Sequence, residues 1–191
     1  MIRPGRERLH GTVEVDETFI GGVMPGADGR DGKGKALVVI AAEEDGRGIG
    51  RIRLRRVGDA SAASLHGFIQ QTIALGSTVH TDGWAPYQGL EKRGYSHAIT
   101  RLKGKGKKAA VEQLPRVHRV AALLKRWLLG THQGAVSPDH LDYYLDEFTF
   151  RFNRRRSASR GKLFFGLLEQ AVQVGPVPYD AIVQRRPTPH Q

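Results

Sequence analysis

The stretch "ALVVIAAEE" at 36–44 constrains the fold more than any other. It is apolar from Ala36 to Ala42 with no polar alternation, which predicts a strand covered on both faces and therefore a central one. Its partners are legible on either side. Val13, Val15, Phe19 and Ile20 favour a first strand over 11–20, although Glu14, Asp16 and Glu17 are unusual residues for one. The Asp-Gly pair in "EDGRG" at 44–48 signals a hairpin. In the following "RIRLRRV", Ile52 and Leu54 face one way and Arg51, Arg53 and Arg55 the other. That alternation predicts a half-buried third strand with a basic outer face.

Beyond this meander, Asp59 or Ser61 caps a helix whose apolar residues Leu65, Phe68, Ile69 and Ile73 line one side, closed by Gly76. "STVHTD" reads as a short fourth strand that breaks at Gly83, "APYQGLEKRG" as a short helix, and "YSHAITRL" as a fifth strand. The last third is helical. Val117, Val120, Ala121, Leu124 and Leu128 form one stripe. Ser137-Pro138 starts a second helix, with the stripe Leu141, Tyr144, Leu145, Phe148 and Phe152, and a final helix covers about 161–173. The order β-β-β-α-β-α-β followed by helices predicts an α/β domain of the ribonuclease-H-like kind, a five-stranded mixed sheet with flanking helices. It spans 11–175, between a linker remnant at 1–10 and a tail at 176–191.

Charge narrows the partners. Lys and Arg number 30 against 19 Asp and Glu, a net charge of +11 that suits a polyanion. No apolar run reaches the roughly 18 residues of a spanning helix, and "MIRPGRERLHG" lacks the apolar core of a signal peptide. Without cysteine the chain forms neither disulfides nor thiolate metal sites. The glycine-spaced Lys103, Lys105, Lys107 and Lys108 suit a phosphate-tracking loop. Arg126, Arg151, Arg154, Arg155, Arg156, Arg160 and Lys162 extend the basic surface. Trp84 and Trp127 read as core or half-buried, and the glycine-rich 21–35 lacks a P-loop pattern.

The acids carry the chemistry. Glu14 and Asp16 share a strand face and Glu17 points away. Asp82 ends the fourth strand, which neighbours the first in the expected fold, so Asp16 and Asp82 meet. Two close carboxylates repel each other, and a divalent cation removes that conflict. Mg²⁺ takes one or two carboxylates plus water and phosphate oxygens, and a pair of such ions supports phosphodiester cleavage. Simpler roles exist: Asp82 as a turn former, Glu14 as a solvated strand residue.

The blocks "GTVEVDETFIGG", "VHTDGWAPYQGL" with "GYSH" after it, and "HLDYYLDEFTFRFNRR" occur in order. Together they resemble the catalytic domain of bacterial insertion-sequence transposases of the DDE type, the ISXO-like group, over about residues 3–175. The resemblance implies that Asp16 and Asp82 are the first two metal-binding acids, with Mg²⁺ or Mn²⁺ as cofactor. Where that family carries Glu or Asn with Lys seven residues later, "VHRVAALLKRW" has His118 and Lys125. That spacing is about 700° of helix rotation, so both project from one face, His118 toward metal and Lys125 toward phosphate. Glu147 is the reserve third acid, with an ion pair to Arg151 as its ordinary alternative.

By the same resemblance, the chain cuts DNA at insertion-sequence ends and joins the 3′-OH to target DNA, as a homo-oligomer in the bacterial cytoplasm and nucleoid. It is expected to be the catalytic domain without the family's Cys-rich zinc ribbon and helix-turn-helix region. Two rivals remain: an inactive remnant that only binds nucleic acid, and another ribonuclease-H-like nuclease such as a junction resolvase.

Overall fold

The computed structural model describes residues 6–21, 35–100, 114–132, 136, 140–173, 175–176 and 178–179. The described strands are β1 (Thr12–Ile20), β2 (Ala36–Asp45), β3 (Gly48–Val57), β4 (Thr78–Thr81) and β5 (Ser96–Ile99), and they form one sheet in the order β3-β2-β1-β4-β5. The first three are antiparallel, while β4 runs parallel to both β1 and β5. Helix α1 (Ala62–Thr72) covers one face, and α2 (Pro115–His132) and α3 (Leu141–Asn153) cover the other. A last helix, α4, spans Arg160–Gln173. This is the ribonuclease-H-like arrangement that the element order predicts. Among the described residues no helix is long and apolar enough to cross a membrane.

Two cores explain the layers. Val13, Val15, Val39 and Ala41 meet Leu65, Phe68 and Ile69 of α1 on one side of the sheet. Ile20, Val38, Ile40, Ile52 and Leu54 meet Val117, Val120 and Leu124 of α2 and Leu145 and Phe148 of α3 on the other. β2 feeds both cores, which is why its sequence has no polar face. Large buried residues of this kind each contribute roughly 1.5–3 kcal/mol.

Several local expectations change. Helix α1 ends at Thr72, not Gly76, because Ile73 turns extended (φ −116°, ψ 136°) and bridges Leu9. Its cap uses both predicted residues: Ser61 Oγ accepts from Ser64 N, and Asp59 Oδ1 accepts from Ser61 N and Ser64 Oγ. The short helix after β4 is two 3₁₀ turns, Ala85–Tyr87 and Glu91–Arg93. Ser137-Pro138 lies outside the described residues; α3 begins at Leu141 after His140.

The basic outer face of β3 is also corrected. Arg53 is only 5% exposed and donates to the Ile52 and Glu7 carbonyls. Arg51 is paired with Glu43 and Glu7. The N-terminal segment lies over these arginines, a tertiary cover that strand alternation does not reveal.

Candidate active site

β1 and β4 pair in parallel at Thr12–Thr78, Val13–Val79 and Glu14–His80. Two residues further along that register, past the last paired residues, come Asp16 and Asp82. Asp82 Oδ1 accepts from Trp84 N at 2.9 Å. The turn former and the candidate ligand are thus one residue, since the turn occupies Oδ1 and leaves Oδ2 outside it. Gly83 makes the turn possible, with φ +82° and Ile99 Cγ2 2.4 Å from where a Cβ would stand. Gly83→Ala is therefore expected to cost roughly 1–3 kcal/mol and to displace Asp82, measured as a lower Tm. An unchanged Tm would mean that the turn tolerates a side chain.

The charges of the two acids act on each other. The Asp16 carboxyl is pushed up to about 6, mainly by burial and further by the Asp82 charge, while Lys125 pulls it down. Glu17 is raised by burial and by Asp16 and Asp82, and its bond from Tyr87 Oη, at 2.7 Å, opposes this. Glu17 lies on the opposite face of β1 from Asp16, pinning the buried Tyr87. Its structural role agrees with the alternation.

α2 brings the other two candidates to the Asp16 face. His118 Nε2 is 3.8 Å from Asp16 Oδ2. Lys125 Nζ donates to Thr18 Oγ1 at 2.7 Å, and burial first, then Lys35, lowers its pKa. Asp16, Asp82, His118 and Lys125 therefore come together at one end of the β1–β4 junction. Glu147 does not join them. It sits on α3, which packs against β3, and pairs with Arg151 at 2.9 Å.

Glu14, for which a solvated strand role was one reading, is instead buried, at 1% exposure. Its Oε2 accepts from the backbone N–H groups of Arg116 (2.7 Å) and Val117 (3.0 Å), and its Oε1 from Arg116 Nη1 (2.9 Å). It is thus the N-terminal acceptor of α2, supplied by β1. A signal existed in "QLPRVHRV": Leu114 precedes Pro115 where a Ser, Thr, Asp or Asn cap is normal. Such a start needs an acceptor from elsewhere, and a carboxylate also favours the helix dipole. Arg116 further donates to the Gly46 and Gly48 carbonyls and pairs with Glu44. Glu14 therefore sets the helix that carries His118 and Lys125.

The arginines at the end of α3 also bond within the chain. Arg155 donates to the Ile49, Gly50 and Phe152 carbonyls, and Arg156 pairs with Asp45 at 2.7 Å. Both tie the end of α3 to the β2–β3 hairpin, at the end of the sheet away from Asp16. Arg154 stacks 3.9 Å over Phe150. Arg126, Arg151 and Lys162 are exposed. Lys103, Lys105, Lys107, Lys108 and the Arg160 side chain lie outside the described residues. Trp127 is half-buried against Tyr144 and Phe148 as expected, but Trp84 is 43% exposed beside Asp82.

The donor chemistry fits a divalent cation: two carboxylates whose charges oppose each other. Among the described residues no three His, Asp or Glu side chains form a ready metal cage, and Mg²⁺ does not require one.

Comparison with known proteins bears on the same residues. The sequence profile of the ISXO2-like transposase domain matches residues 8–153, a span that includes Asp16, Asp82, His118 and Lys125. No curated protein matches the chain.

Proposed function

Because the chain belongs to the ISXO2-like DDE transposase family, we propose that it cleaves DNA at insertion-sequence ends and joins the resulting 3′-OH to target DNA. The observation that carries this reading is the convergence of Asp16 and Asp82 past the β1–β4 pairing, with the Asp82 charge raising the Asp16 pKa. Asp16 and Asp82 would hold Mg²⁺ or Mn²⁺, which when bound supplies Lewis-acid activation of the attacking oxygen and stabilisation of the leaving one. His118 faces Asp16 and is the candidate for the third position. Lys125, four side-chain carbons from its backbone and lying along the Asp16 face, holds a phosphate oxygen and orients the scissile strand. Arg126, Arg151 and Lys162 provide phosphate contacts that give affinity without sequence reading. Pairing two element ends calls for a homo-oligomer.

The test is a labelled DNA duplex incubated with the purified chain, with Mg²⁺ and then with chelator. The expected result is metal-dependent nicks with 3′-OH ends, followed by joined products. Cleavage without joining would instead indicate a structure-specific nuclease. One observation favours a binding-only remnant as the second reading: His118 stands where the resemblance expects Glu or Asn. Salt-sensitive binding with no cleavage in either metal would establish it.

A further inference from the structure

At the β3 edge, the N-terminal segment, β3, α3 and α4 enclose a cavity of about 270 Å³. Its lining includes Arg6, Arg51, Arg53 and Arg154 against two carboxylates, Glu7 and Asp146. Arg51 is already paired with Glu43 and Glu7, and Asp146 is the other lining acid, its charge acting on Arg6. Arg53 is the informative one. It is 95% removed from solvent, yet its hydrogen bonds go to main-chain carbonyls and not to a carboxylate. Burial first, then Arg6 and Arg51, pull its pKa down to about 10, and the charges of Glu43 and Glu7 offset this only in part. From α4, Gln170 also lines the cavity, and its Oε1 is buried with no hydrogen-bond partner among the described residues. The amide can turn either end inward, so this side chain can add a donor.

From these residues we infer that the cavity is a phosphate-binding site, distinct from the Asp16–Asp82 centre and formed by Arg6, Arg53, Arg154 and Gln170. Guanidiniums suit the group because their planar forks match phosphate oxygens. An anion there supplies the counter-charge that Arg53 lacks. β2 separates β3 from β1, and Arg53 faces away from the α2 side of the sheet that carries Asp16, so the cavity lies at the β3 edge, apart from the acids. A DNA strand that passes the β3 edge can place a phosphodiester in it. The strand assignment rests on the proposed function; the phosphate site itself does not.

Two arms of one experiment separate them. Inorganic phosphate binding by the full chain is measured by calorimetry, and DNA binding by fluorescence anisotropy across a salt series. Arg154→Gln and Arg6→Gln are each expected to weaken phosphate binding roughly tenfold. They are also expected to lower the log–log salt slope for DNA by about one, and DNA is expected to displace phosphate. Circular dichroism melts keep the readout independent of folding, and two separate variants guard against one that misfolds. Phosphate affinity unchanged in both folded variants, or no phosphate binding by the parent chain, overturns the site. Phosphate binding that the variants weaken but DNA does not displace keeps the site and overturns its use by a strand. A chain that binds no DNA yet loses phosphate affinity in the variants keeps the pocket and refutes the transposase reading.

Discussion

Asp16→Ala and Asp82→Ala are each expected to reduce Mg²⁺-dependent DNA cleavage by about a thousandfold or more, because each removes one of the two carboxylates that meet beyond the β1–β4 pairing. The same residue carries an opposite effect on stability. The Asp16 carboxyl sits at about 6 in the folded chain against an ordinary value of 3.8. Between those values the folded state holds a proton that the unfolded chain has released. Stability from this group therefore falls as pH rises from about 4 to 6, and the full cost persists above that. The cost is on the order of 2–3 kcal/mol. Asp16→Asn is thus expected to raise Tm at pH 8 and to leave it nearly unchanged at pH 4. Millimolar Mg²⁺ is expected to raise the Tm of the parent chain and not of the variant, by mass action on the folded state. Equal melting of parent and Asp16→Asn at pH 8 would sink this account.

Glu14→Gln, two residues earlier on the same strand face, is expected to do the reverse. Its carboxylate is 1% exposed and receives two backbone N–H groups at the start of α2 as well as Arg116. Removing one partner of a buried ion pair costs roughly 3–5 kcal/mol because the other is left uncompensated. For a domain of this size that lowers Tm by roughly 6–20 °C. The loss also loosens the helix that presents His118 and Lys125, so cleavage is expected to fall although Glu14 touches no substrate. The comparison with Asp16→Asn is the sharp part. Two neutralised acids, on one face of one strand, are expected to move Tm in opposite directions at pH 8. A Glu14→Gln chain that melts with the parent would show that α2 finds its N-terminal acceptor elsewhere.

The reason for the contrast is the partner and not the strand. Glu14 is met by a helix start and a guanidinium, both positive. Asp16 is met by burial and a second carboxylate, with Lys125 as partial relief. A cation at Asp16 and Asp82 would do for that pair what Arg116 does for Glu14. The two acids on one strand face are thereby divided: Glu14 anchors the helix, and Asp16 carries a buried charge that no such partner offsets.

Local order was legible where hydrophobic period and turn chemistry agree. The doubly apolar 36–42 segment set a central strand, the stripe from Val117 to Leu128 set α2, and Gly83 set the turn that ends β4. Asp16 and Asp82 could be paired on paper because a parallel neighbour relation between the first and fourth strands follows from the element order. The Glu14 role was not legible in the strand itself, since alternation reports a face and not the element that covers it. Arg53 failed as a solvated cation for the same reason, and Arg155, although exposed, is likewise held by distant carbonyls. Their guanidiniums meet carbonyls from segments 46 and 105–106 residues away.

What this chain's sequence determined by itself, then, is its elements, its central strand and which acids share a face, because these depend on residues within a turn or two of each other. The tertiary structure alone decided which charged groups became structural and which stayed available. A buried charge is governed by the desolvation it suffers and the partner that meets it. For Glu14, Asp16 and Arg53 those partners come from elements far away in the chain.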